Sequence, residues 1–109
     1  MRMYNVQILP LAEEDIVNNT DYIAFEKNAP DTALELAIGF RNCIARLEFM
    51  PEQHEVDEDE ELAALGIRKC YYKSYKIFFY INNESNTVFV LRVLHMLVNA
   101  KPILLNMNF

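Results

Sequence analysis

Between Gly66 and His95 the chain crowds its cations among tyrosines. Arg68, Lys69, Lys73 and Lys76 alternate with Tyr71, Tyr72, Tyr75 and Tyr80, and Arg92 and His95 close the run. A cationic, tyrosine-bearing surface can bind phosphate and stack bases. Metal-free cleavage of RNA needs a base for the 2′-hydroxyl proton, a cation for the crowded phosphate and an acid for the leaving oxygen. His95 suits the base or the acid, and Arg68 the phosphate clamp. The same residues have plainer uses. Tyrosines at alternating positions pack cores and sheet rims. Arg92, at the strand parity of Val88 and Val90, suits an ion pair with a helix carboxylate. No GxGxxG, P-loop, GxSxG or HExxH occurs. His54 and His95 have no cysteine at ligand spacing, so neither a metal nor a cofactor is expected. His54, among carboxylates, reads as a surface histidine. Cys43 and Cys70, outside any CxxC, read as two buried thiols.

The charges are segregated. The net charge is −6, but residues 1–51 carry −4, residues 52–61 carry −7 from seven carboxylates, and residues 62–109 carry +5. A basic half on an acidic chain suggests a localised anionic contact, or charges that merely solvate opposite faces. The 109 residues, 52% hydrophobic and 24% charged, have a globular balance that excludes the disordered class. No apolar run reaches the ~18 residues of a membrane span, and Met1–Pro10 lacks a secretory apolar region. A cytoplasmic chain with no membrane contact is expected.

The elements that must position these residues follow from the hydrophobic period. Tyr4, Val6 and Ile8 alternate with Asn5 and Gln7 as a strand that Pro10 ends. Leu11–Lys27 is helical, with Ala12, Ile16, Ile23 and Lys27 on one stripe and Glu13, Glu14 and Asp15 in the first turn. A second helix begins near Asn28-Ala29-Pro30-Asp31, with Asn28 as its cap. Its stripe is Ala33, Ala37, Phe40, Ile44 and Leu47, and Met50-Pro51 ends it. The pair forms an antiparallel hairpin. The acidic stretch then reads as a solvated loop or a frayed turn. Strands follow at Ile67–Tyr72, Tyr75–Ile81 and Thr87–Leu94. Lys73-Ser74 joins the first two tightly and Asn82–Asn86 the next two. Val88–Leu91 is apolar on both faces and therefore central. The expected fold is α+β: a helical hairpin packed on one face of a mostly antiparallel sheet, order β-α-α-β-β-β, the other face partly open. One domain over 1–109 is expected, with an apolar tail at about 97–109. Ile103, Leu104, Leu105, Met107 and Phe109 either fold back, the favoured reading, or offer a docking strip.

Seven pieces in order carry a resemblance: Tyr4-Asn5-Val6; Ala12-Glu13-Glu14-Asp15-Ile16; Pro30 with Ala33; Leu47-Glu48-Phe49-Met50-Pro51; Gly66-Ile67-Arg68; Tyr75-Lys76-Ile77-Phe78-Phe79-Tyr80-Ile81; and Val90-Leu91-Arg92-Val93-Leu94-His95. Over residues 4–96 the chain resembles the RelE/ParE superfamily of toxins from bacterial type II toxin–antitoxin systems, often labelled plasmid stabilisation proteins. The resemblance implies the fold already read from periodicity and a growth-inhibiting activity held in check by a small antitoxin encoded alongside. RelE-like members cleave messenger RNA, usually in the ribosomal decoding site; ParE-like members poison DNA gyrase and are not known as nucleases. Arg68 matches a phosphate-contacting arginine of the nuclease branch, and His95 the position of its histidine or arginine. Lys69, Lys73, Tyr75 and Arg92 are the expected contacts to target or antitoxin. Met96-Leu97-Val98 stands where the nuclease branch continues with tyrosine or further basic residues, and the loop that bears lysines in several ribosome-dependent members is acidic here. Seven carboxylates oppose approach to ribosomal RNA. ParE-like action on gyrase is therefore favoured, with a RelE-like messenger RNA endonuclease as the alternative and an inert or repurposed peptide-binding module as the third. A homodimer is left open.

Overall fold

A computed structural model of the chain describes residues 3–109, so Met1 and Arg2 of the expected 1–109 domain lie outside the described residues. Strand β1 (Asn5–Ile8) leads into helix α1 (Pro10–Asp21), a π-helical turn (Tyr22–Glu26) and helix α2 (Pro30–Ala45). A short helix α3 (Glu60–Ala64) precedes strands β2 (Ile67–Tyr72), β3 (Tyr75–Asn82) and β4 (Thr87–His95), and helix α4 (Ala100–Leu105) follows. The sheet order is β1-β4-β3-β2. β2, β3 and β4 are antiparallel, and β1 lies parallel to β4. A parallel pair needs a long crossover, and the helices between β1 and β2 leave the chain free to make it. The doubly apolar β4 is central, as its composition requires.

The helix boundaries differ from the periodic reading at two places. Pro10 does not merely end β1: it also opens α1, in the first turn where its missing N–H costs nothing. Asn28 does not cap α2. It sits at φ +51°, the left-handed conformation that asparagine tolerates, and so terminates the first helical run; Ala29 precedes α2. Between them the Lys27 N–H reaches the Tyr22 carbonyl at 3.1 Å, the wide bond of the π turn. That turn leaves Phe25 77% exposed.

One core lies between the hairpin and the sheet. Ala12, Ile16, Leu36, Phe40 and Ile44 pack on Ile77, Phe79, Val88, Val90 and Val93. The opposite face, expected to be partly open, is covered. Leu62 of α3 and Leu104 of α4 pack on Ile67, Phe78, Leu91 and Leu94 as a second core. The tail supplies this cover: Leu104 is fully buried, Ile103 and Met107 pack beside it, and the Phe109 ring lies 5.4 Å from that of Tyr80. Burial of Leu62 and Leu104 contributes about 1.5–3 kcal/mol each. The Lys101 ion pairs to Asp59 and Glu61 that tie α4 to α3 are exposed and add little.

A bulge lets one strand serve both cores. Phe78 pairs with Arg92 and Phe79 with Val90, leaving Leu91 as the extra residue. Before it the even positions Val88 and Val90 face the hairpin; beyond it the odd position Val93 does. α1 is pinned there. The Asp15 carboxylate accepts from Arg92 Nε at 2.7 Å and Nη2 at 2.8 Å, and from the Val93 N–H at 2.9 Å. Arg92 thus has the helix carboxylate that its type suggested.

Two stability outcomes follow. Asp15→Ala orphans a half-buried guanidinium and the buried Val93 amide, and is expected to lose about 3–5 kcal/mol in denaturant unfolding. A Cβ on Gly39 would lie 2.0 Å from the Tyr72 ring. Gly39→Ala should therefore cost about 1–3 kcal/mol, and most of that cost should vanish in a Tyr72→Leu background, read as a double-mutant coupling.

Candidate functional site

The cationic residues fall into two groups at opposite ends of the strands. At the start of β2, Arg68 lies on the hairpin side, paired with Phe79. Its guanidinium donates to the His54 carbonyl at 2.6 Å and the Glu52 carbonyl at 3.3 Å. It therefore holds the segment after Pro51 against the sheet edge. His54 is not a free surface side chain: its ring stands edge-on to Phe79 at 5.8 Å and is half-buried. Burial first, and then the nearby Arg68 charge, hold its pKa below the usual imidazole value.

Next to Arg68, Lys69 points to the other side and pairs with the buried Asp57 at 3.2 Å and with Glu58 at 2.7 Å. Burial by itself would lower the ammonium's pKa; the bonds from Glu58 and Asp57 outweigh it and leave it raised. The acidic stretch is therefore ordered rather than a solvated loop. Asp57 is 7% exposed. Asp59 caps α3 by accepting from the Glu61 and Leu62 amides, and Glu60 and Glu61 sit in the first turn, where the helix dipole favours them. The Asp59-Glu60-Glu61-Leu62 pattern carries that capping signal in the sequence.

At the far end, His95 pairs with Tyr75 across the strands, their rings edge-on at 5.3 Å. Tyr75 also meets Phe40 at 5.0 Å, and burial pushes its hydroxyl pKa up. It is a packing residue first. His95 Nδ1 accepts from the Leu97 N–H at 3.2 Å. That contact occupies Nδ1 and leaves Nε2 as the ring nitrogen available to another group. Lys73 sits in the β2–β3 turn at φ +51°, its Nζ 5.6 Å from the Tyr72 ring centroid. Lys76 pairs with Leu94, the neighbour of His95. The turn that follows β4 is apolar and open, with Leu97 87% exposed.

Arg68 and His95 are not brought together. Their strand partners Phe79 and Tyr75 are four residues apart along β3. With one residue on each flanking strand, the backbones stand ~16 Å apart at ~3.3 Å per residue and ~4.8 Å per strand. Arg92 is engaged by Asp15 and Lys69 by Asp57 and Glu58. The two thiols offer no nucleophile: burial pushes Cys70 up to about 12 and also raises Cys43. The arrangement presents hydrogen-bond donors, the exposed Lys73 and the half-buried Lys76, with Arg68 and His95 apart.

A family model described as the ParE toxin of the type II toxin–antitoxin system parDE matches residues 6–97. Among solved structures, the fold is similar to a chain of the chromosomal ParDE toxin–antitoxin system from P. aeruginosa. The TM-score is 0.69 at 16% identity, over 87% of this chain and 98% of that one. It is also similar to a chain of the toxin–antitoxin complex RelBE2 from Mycobacterium tuberculosis. There the TM-score is 0.62 at 24% identity, over 87% of this chain and 93% of that one. No curated protein matches.

The His54 environment predicts a pH effect on stability. Its folded pKa lies below the ordinary imidazole value of 6.5, so the unfolded chain takes up the proton first as pH falls. Stability should be complete above pH 6.5 and decline as the pH drops through that value toward the lower folded one. His54→Gln should flatten this limb; the difference between the two unfolding free energies from pH 7.5 to 5 isolates it.

Proposed function

The chain belongs to the ParE toxin family of type II toxin–antitoxin systems, and on that footing we propose that it inhibits growth by binding DNA gyrase until a cognate antitoxin sequesters it. The observation that carries this choice is the separation of Arg68 from His95. A ribonuclease that works without a metal must gather base, acid and cation around one phosphate. Here Arg68 is engaged by two carbonyls and His95 spends its Nδ1 on the Leu97 amide. Blocking a protein target needs no such convergence; it needs a presented surface. The region around Lys73, Lys76 and the Met96-Leu97-Val98 turn supplies cations beside exposed apolar side chains. The carboxylates of residues 52–61 disfavour a ribosomal RNA target on the same side of the argument.

Expression without the antitoxin tests the reading in one experiment. Growth arrest with double-strand DNA breaks, SOS induction and intact transcripts is expected, together with inhibition of supercoiling by purified gyrase. Arg68→Ala and His95→Gln, at matched soluble expression, should change toxicity less than about threefold. Cut transcripts that disappear in both variants would establish the endonuclease instead, and harmless high-level expression would leave only the peptide-binding module.

A further inference from the structure

The chain has two cysteines, and the fold brings both to one place. Cys43 lies on α2 and Cys70 on β2, with residues 44–69 between them, and both are free thiols. The register between helix and strand is fixed one turn earlier. The end of the Tyr72 ring lies over Gly39, where an added Cβ would come within 2.0 Å of it, and the same ring meets Phe40 edge-on at 5.7 Å. From Gly39 one helical turn, ~6 Å, leads to Cys43. From Tyr72 two strand residues, ~6.6 Å, lead back to Cys70 on the same face. Both steps end at a hollow of about 190 Å³, which Cys43 and Cys70 line together with Arg46 and His54. Cys43 also packs against the core cluster that contains Cys70. The two thiols therefore form the next rung of the contact between α2 and β2.

They are not equivalent. Cys70 is 8% exposed, whereas Cys43 is half-buried and reached from solvent. Burial raises the pKa of Cys43, but the charge of Arg46, almost one turn further on, pulls it back down. For Cys70, burial first and then the neighbouring Cys43 push it up. Cys43 is thus the thiol that ionises first and meets an oxidant. The raised values that keep either thiol from turning over a substrate slow a single oxidation without forbidding it.

We propose that Cys43 and Cys70 form a redox latch, a dithiol that a peroxide oxidises to a disulfide tying α2 to β2. The Cys43 thiolate attacks one oxygen of hydrogen peroxide and the O–O bond breaks. The departing oxygen takes up the proton that Cys43 gave away, leaving water and a Cys43 sulfenic acid. Cys70 then attacks the Cys43 sulfur. The S–S bond forms, the S–O bond breaks, and the hydroxyl leaves with the Cys70 proton as a second water. The two thiols give up two electrons and the peroxide accepts them; a small thiol reverses the change. The bond closes residues 44–69 into a loop that carries the acidic stretch and α3, so the unfolded chain loses more freedom than the folded one. Oxidation therefore holds the helical hairpin on the sheet.

The test treats the purified full chain with hydrogen peroxide and maps its peptides without reduction. Both free thiols should disappear together, faster at higher pH, in a monomer whose Cys43 and Cys70 peptides are joined, and dithiothreitol should restore them. The oxidised chain should melt at least about 5 °C above the reduced one. Cys70→Ser should stop at a Cys43 sulfenic acid that dimedone traps, and Cys43→Ser should leave Cys70 unmodified. Should either variant fail to fold, the peptide map of the parent chain decides alone. Two intact thiols after overnight exposure to excess peroxide overturn the latch. So does a bond that joins two copies instead of closing within one, or a joined chain that melts no higher. None of these results bears on the toxin–antitoxin reading, on which the latch does not depend.

Discussion

The Asp15 carboxylate is the point on which the architecture turns. It sits on α1, yet it closes three hydrogen bonds on β4: two to the Arg92 guanidinium and one to the Val93 amide. The location matters more than the number. The bulge at Leu91 and Arg92 interrupts the ladder between β3 and β4 and turns the Val93 N–H away from a strand partner. A buried amide without an acceptor would cost ~1–3 kcal/mol. Asp15 satisfies it while also neutralising the guanidinium, so one carboxylate makes the bulge tolerable and fixes the helix over it. Asn19, one turn later on α1, donates to the Val93 carbonyl at 3.2 Å and completes the attachment. The bulge in turn lets β4 present Val88, Val90 and Val93 to the hairpin and Leu91 and Leu94 to the tail. Two cores on one central strand depend on that ion pair.

Much of this was legible in the amino-acid order. The strands, the helical hairpin and the central place of β4 follow from periodicity, because each is a regular element whose apolar faces repeat. The bulge was not legible. Strict alternation along Val88 to His95 assigns Arg92 to the hairpin side, and only the register with Phe78 and Phe79 shows that the parity changes. The cover on the second face was half legible. Leu104 and its neighbours are plainly apolar, but nothing in their spacing says which surface they cover. The π turn escaped for a similar reason: it inserts one residue into a helical stripe whose apolar members, Ile16 and Ile23, still appear in phase.

The site was less legible than the fold, because residue type does not reveal the partner. Arg68 and His95 have the chemistry of a clamp and an acid–base group, yet two backbone carbonyls occupy the first and a backbone amide the second. Such bonds leave no sequence signature. His54 was hidden by its acidic neighbours, which suggest water where the structure places the face of Phe79. The acidic stretch misled in the opposite direction. Its carboxylates looked like a repulsive, solvated run, but Asp57 is an internal counter-ion for Lys69 and Asp59 a helix cap.

The ion pairs also change what the charge segregation means. Residues 62–109 carry +5, a value that suggests a polyanion-binding face. Structure spends most of it within the chain: Lys69, Arg92 and Lys101 meet carboxylates, and Arg68 meets carbonyls. Of that segment only Lys73 and Lys76 remain, one exposed and one half-buried, and Arg46 at the end of α2 adds an exposed cation that shares a groove with Lys73. Affinity for nucleic acid grows with the number of phosphates neutralised, and each contact is weakened further by salt. Three dispersed cations on a chain of net charge −6 make a weak polyanion surface. The same three, on a surface that also exposes Leu97, suit acidic and apolar groups of another protein, where burial supplies the affinity and charge the register. That balance is the physical reason the proposed targets, antitoxin and gyrase alike, are read as proteins that this surface grips and not as nucleic acids that it cuts.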